Sequence, residues 1–234
     1  MYTDVDQRFP NVVYLMMAKK LLTFVGLSLV FFIVAVVTAV LLMPQLKNLL
    51  NNDTAISPVV SHISTFVALV LTLLISWRRL NVKSQLKSYI SCDFRYYGIS
   101  LVGVLILFIL VTLVNKLLGI GNPWVADLMR GNQITLAFIY FTILVLAPLN
   151  EEIIFRGFAL NIGNAISGGW ISVWLTIVIS CGGFALLHTQ YGYTTVIYLF
   201  VLAVWFAIVR IKSQSLSVPI VAHSFASLLG SLNI

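Results

Sequence analysis

Apolar runs separated by short polar or basic stretches dominate the chain, and several reach the roughly 20 residues that a helix needs to cross a hydrocarbon core of about 30 Å. The pattern predicts spans at about Leu21 to Met43, Pro58 to Trp77, Gly98 to Leu118, Ile134 to Ala165, Trp170 to His188, Tyr193 to Val209 and Leu216 to Leu232. The expected fold is an all-α polytopic transmembrane helical bundle of about seven spans, six to eight at the limits. The first apolar run is longer than a signal-peptide core and has no small-residue cleavage site after it, so it is expected to be retained as a span. No linker, repeat or low-complexity tract interrupts the chain. Residues 1–133 are therefore read as N-terminal transmembrane helices, about three spans, and 134–234 as the catalytic helical core of the same single membrane domain. The segment Asn51 to Ser57 reads as a polar loop.

Composition agrees with this pattern. Of 234 residues, 60% are hydrophobic and 9% charged, too few charges to cover a water-soluble globule. Mean hydropathy is +1.04. The net charge of +7 comes from basic residues between apolar runs, where they orient a membrane protein and do not suggest nucleic-acid binding. Arg8, Lys19, Lys20, Arg78, Arg79, Lys83, Lys87, Arg95, Arg210 and Lys212 fall on one side if the N-terminus is cytoplasmic, leaving Lys47, Lys116 and Arg130 opposite. An integral protein of a bacterial plasma membrane is expected, with the basic tract from Arg78 to Arg95 as a cytoplasmic connector. Cys92 in a loop and Cys181 in a span suggest neither a disulfide framework nor a zinc knuckle.

Against this background two charges are out of place. Glu151 and Glu152, in "PLNEEIIFRG", are the only glutamates in the chain and lie inside a predicted span, where ionised groups are costly and functional by default. Glu152 and Arg156 are four apart with the acid first, the favoured order for a helical ion pair. Glu151 points about 100° away, free to face a cavity as a general base that takes a proton from water and returns it to a leaving group. Pro148, just before the acids, frees a carbonyl and predicts a kink. His188 and His223 also fall in predicted spans. If the fourth and fifth helices turn near Ser167 to Gly169, Glu151 and His188 come level within about one helical turn. His223, about eight residues into the last span, comes to a similar depth if that hairpin protrudes about 10 Å or more beyond the bilayer. His62, near the outer end of the second span, fits no such cluster and reads as interfacial.

The pattern Glu151-Glu152-x-x-x-Arg156, then Phe184-x-x-x-His188, then His223 in the last span, resembles the CPBP family of intramembrane proteases. That family includes the CAAX prenyl endopeptidases of the Rce type and the bacterial Abi proteins linked to bacteriocin processing and self-immunity. The resemblance covers about Ala147 to Ser227. It implies peptide-bond hydrolysis within the membrane, with a membrane-associated peptide or lipidated protein as substrate. Glu151 and His188 would activate a water, His223 would position or stabilise the tetrahedral intermediate, and Glu152 with Arg156 would brace the helix. Ser227 stands where members commonly carry an asparagine, and its shorter reach puts an oxyanion-binding role there in doubt. The family is often named a metalloprotease, and Glu151, His188 and His223 would be the ligands of Zn²⁺ or another divalent metal; a metal-free glutamate and histidine mechanism fits the residues equally well. A non-proteolytic immunity or scaffold protein of the same fold is the alternative, although it has no chemical need for all three site residues. A proton-coupled carrier would spread polar residues along several helices, and the first three spans carry few.

Overall fold

The structure, a computed structural model, describes residues 10–76, 93–160 and 170–232. Among the described residues there are eight helices: α1 (Pro10–Leu49), α2 (Asp53–Ser76), α3 (Arg95–Leu118), α4 (Pro123–Leu128), α5, α6 (Trp170–Leu186), α7 (Tyr193–Ser213) and α8 (Ser217–Leu232). Helix α5 is continuous but uneven, passing through Gln133–Phe141, a π-helical stretch Thr142–Leu146, Ala147–Glu151 and a second π-helical stretch Glu152–Ala159. Each of the seven predicted apolar runs is helical over most of its described residues, and no strand occurs among the described residues. Val25–Leu49, Asp53–Ser76, Arg95–Leu118, Gln133–Phe158 and Tyr193–Ser213 are long and apolar enough to cross a membrane, whereas α6 and α8 offer only 14 and 16 apolar residues. Arg8, Arg78, Arg79, Lys83, Lys87, Cys92 and the expected turn at 167–169 lie outside the described residues, as do the side chains of Lys19 and Lys20.

The helices turn large apolar side chains outward, among them Phe32, Ile106, Leu110, Leu175 and Ile179. In a water-soluble protein such a surface would drive aggregation; facing lipid it costs nothing. The inward faces are lined by small residues and a few rings. Val104 of α3, Leu202 and Phe206 of α7, and Ala222 and Ala226 of α8 form one core cluster. A second joins Leu160, Ile177, Cys181, Phe184, Ala203 and Ala207 across α5, α6 and α7. Gly103 lets α3 approach α7, since a β-carbon there would collide with the indole of Trp205, whose Nε1 donates to the Ser100 carbonyl at 3.2 Å.

Asn51 and Asn52, expected in a plain polar loop, form a clasp, with α2 already beginning at Asp53. Asn52 Oδ1 accepts from the Thr54 amide at 2.9 Å, capping α2. Its Nδ2 lies within 3.1 Å of the Asp127, Leu128 and Arg130 carbonyls, which α4 leaves open at its end. Asn51 Oδ1 accepts from the Asn132 amide and the Thr135 hydroxyl. The clasp sets the starts of α2 and α5 side by side, so the two helices run in parallel. At the other end of the bundle the Tyr97 and Ser217 hydroxyls meet at 2.7 Å, tying the start of α3 to the start of α8. Arg95, Arg210 and Lys212 therefore collect at one end, and Lys47, Lys116 and Arg130 belong to the other.

Candidate active site

Glu151 ends the short α-helical stretch between the two π-helical ones. Pro148 cannot donate to the Leu144 carbonyl four residues back, and the Ser224 hydroxyl of α8 donates to that carbonyl instead, at 2.8 Å. The kink expected from Pro148 thus docks α8 against the widened part of α5. Wide π turns inside α-helices frequently mark functional sites because they shift the register of the side chains that follow.

Glu152 and Arg156 are buried to 0% and 1% exposure. Arg156 Nη1 donates to Glu152 Oε1 at 3.0 Å and Nη2 donates to the Ala203 carbonyl of α7 at 3.0 Å. The guanidinium lies 5.1 Å from the Phe184 ring centroid and 5.5 Å from that of Phe206, so aromatic faces replace part of its hydration. The expected ion pair is present, with a second task that sequence spacing had not suggested: Glu152 Oε1 also lies 2.9 Å from His223 Nδ1. A carboxylate is acceptor-only when ionised, so this contact places a proton on Nδ1 and aims Nε2 of His223 away from Glu152. That Nε2 is 3.5 Å from Glu151 Oε2.

His188 reaches the same carboxylate from α6. Expected inside the span, it lies two residues beyond the end of α6, in the turn before Thr189–Tyr191, because the helix stops at Leu186. Its Nδ1 is 2.7 Å from the Phe184 carbonyl; a carbonyl only accepts, so Nδ1 is the donor and Nε2 is left open. That Nε2 is 3.9 Å from Glu151 Oε1. Phe184, buried, packs edge-on against Phe155 and lies beside the His188 and His223 rings. It therefore touches Arg156 and both imidazoles. Tyr191 stacks on His188 and meets Trp124 of α4 edge to face at 4.7 Å. Burial pushes the Tyr191 phenol well above its ordinary pKa, and the nearby Glu151 carboxylate adds to the shift. Ser227 is half-buried, one helical turn beyond His223.

His62, read as interfacial, is in the cluster. Its Nε2 is 3.8 Å from Glu151 Oε1. Buried Asn150 donates from Nδ2 to the His62 carbonyl at 2.8 Å, fastening α2 to α5 at the level of Glu151. Height along a span could not reveal this, because neither the tilt of α2 nor its parallel course beside α5 is written in the spacing. Three imidazole Nε2 atoms thus face one carboxylate that is 13% exposed. No group of three or more His, Cys, Asp or Glu side chains among the described residues is arranged to hold a metal ion. His62 and His188 face one oxygen of Glu151, Oε1, and His223 faces the other, Oε2.

Residues 133–229 match the family model described as Type II CAAX prenyl endopeptidase Rce1-like. This segment is an Rce1-like domain. It contains Glu151, Glu152, Arg156, Phe184, His188, His223 and Ser227, and it leaves out α2 with His62. Together with the five long apolar helices, the Rce1-like match makes the chain an integral membrane protein. The chain is also similar to an uncharacterized 24.3 kDa protein of Escherichia coli, 33% identical over 136 residues, 56% of this chain. That alignment spans 62% of the relative's length. No solved structure matches the chain.

Proposed function

We propose that the chain is an intramembrane endopeptidase that hydrolyses a peptide bond in a membrane-associated peptide or lipidated protein tail. The observation that carries this reading is Glu151, a partly exposed carboxylate within a long apolar helix, faced by His188 and His223 while Glu152 is neutralised separately by Arg156. A water donating one hydrogen to Glu151 and the other to the open Nε2 of His188 directs a lone pair at the scissile carbonyl carbon. As the C–O bond forms, the proton passes to Glu151. The tetrahedral intermediate carries its charge on the former carbonyl oxygen, and Nε2 of His223 is the donor on that side when the ring enters the reaction already carrying a second proton from solvent, so that the water's proton stays on Glu151. Collapse breaks the C–N bond, and Glu151 returns the proton to the leaving amine. Glu152 and Arg156 hold His223 in its tautomer, as outer partners of reactive imidazoles do. No step is routed through a metal. Substrate class follows the domain's family: a prenylated cysteine tail would lie in the lipid with its backbone at the level of the site. The basic ends of α3 and α7 are assigned to the cytoplasm.

The test is turnover of a fluorescence-quenched farnesylated peptide and of an unprenylated apolar peptide by the purified chain in proteoliposomes. Cleavage of either that is lost in Glu151→Gln supports the reading. Absence of cleavage of both, or cleavage undiminished by Glu151→Gln, rejects it.

A further inference from the structure

We propose that His62 is a further catalytic residue, completing from outside the Rce1-like segment the cradle of the hydrolytic water. The inference rests on the hydrolytic reading above. His62 Nε2 and His188 Nε2 lie 3.8 and 3.9 Å from the same oxygen, Oε1 of Glu151, whereas His223 faces Oε2. Both distances are too long for a direct hydrogen bond. Both are short enough for one water to sit at hydrogen-bond distance from the oxygen and the ring nitrogen together.

The chemistry of each group assigns its part. A water has two hydrogens to donate and two lone pairs. Glu151 Oε1 accepts one hydrogen. His188 accepts the other, because its own proton is engaged at Nδ1 by the Phe184 carbonyl. A third group helps to hold this water only as a donor to one lone pair, and Nε2–H of His62 supplies that bond, leaving the remaining lone pair for the carbonyl carbon. All four directions of a tetrahedral water are then used. Attack moves one water proton to Glu151 and on to the leaving amine; His62 keeps its proton throughout and fixes the angle of approach. The contact is set by the backbone, since Asn150, the neighbour of Glu151, binds the His62 carbonyl at 2.8 Å. Any residue at position 62 keeps that backbone bond, so a substitution there removes the imidazole without undocking α2.

The experiment compares His62→Leu, His62→Gln and His62→Met with the parent chain, each also in a Glu151→Gln background, on the two peptides in proteoliposomes. Elution profile and melting temperature verify the fold. His62→Leu is expected to lower kcat by about 100-fold, the scale of a misplaced reactant, with KM within about twofold. Gln, whose amide still donates, recovers part of the loss. Met, which has no hydrogen to donate, recovers none. In the Glu151→Gln background His62→Leu costs nothing further, because groups that serve one water act as a unit. A folded His62→Leu protein that retains parent-like kcat beside an inactive Glu151→Gln overturns the His62 assignment alone. Equal recovery by Gln and Met likewise overturns the donor role. A parent chain that cleaves neither peptide overturns the hydrolytic reading and this proposal with it.

Discussion

Adjacent glutamates in one helix have opposite fates. Glu152 is fully buried and paired; Glu151 is partly open and lies near three imidazoles without a direct hydrogen bond to any of them. The substitution Glu151→Gln is expected to keep the fold and remove peptide cleavage, with circular dichroism and product release measured on one preparation. Arg156→Ala should act differently. It leaves buried Glu152 with the His223 contact but without the guanidinium, and takes the donor from the Ala203 carbonyl; removing one partner of a buried pair costs about 3–5 kcal/mol. A large fall in yield and melting temperature is expected; normal stability with lost cleavage would instead move Arg156 from bracing into the chemistry. The separation of these roles was legible in the sequence, because spacings of one and four residues fix relative direction on any helix. The bond from Glu152 to His223 was not, since it depends on how α8 docks. His62 escaped for the same reason: its partner is 89 positions away in sequence and one helix diameter away in space.

At the scale of elements, hydropathy located all seven apolar helices, and its errors fall where local polar chemistry shapes the chain. Helix α6 stops at Leu186 and lets His188 sit in a turn; an apolar run with one histidine carries no sign of that stop. The short α4 was missed because it spans six residues, although Asn122 before Pro123 is a readable start signal. Pro148 predicted the irregularity in α5 but not the π turns on either side of it, nor that the Ser224 hydroxyl of α8 would meet the Leu144 carbonyl. Asn52→Ala is expected to lose the cap of α2 and the cross-link to α4 together, lowering stability by about 0.5–2 kcal/mol, the scale of a lost helix cap. Thermal unfolding in detergent measures it. Gly103→Ala should be destabilising by a similar amount, about 1–3 kcal/mol, because the Trp205 ring must move. If the melting temperature of Gly103→Ala equals that of the parent, α3 and α7 have room that the packing denies.

For the whole molecule, the polar cluster is assembled from four directions. Helices α2 and α5 and the turn after α6 surround Glu151, while α8 brings His223 from the end that carries Arg210 and Lys212. Since no group of three metal-ligating side chains among the described residues is arranged to hold an ion, turnover is expected to be insensitive to EDTA, measured with and without added zinc. A chelator that abolishes cleavage, with recovery on zinc, would require a different arrangement of the same side chains during the reaction.

The clamp between Glu152 and Arg156 also bears on how the protein is made. Both partners sit on α5, so this helix brings its own counter-ion when it leaves the translocation machinery and meets lipid, before α7 and α8 have been synthesised. Glu151 has no such company on α5. Of its facing rings, only His62 precedes it along the chain, so the earlier α1–α2 hairpin is a ready shelter for the lone acid during biogenesis, until the later histidines arrive.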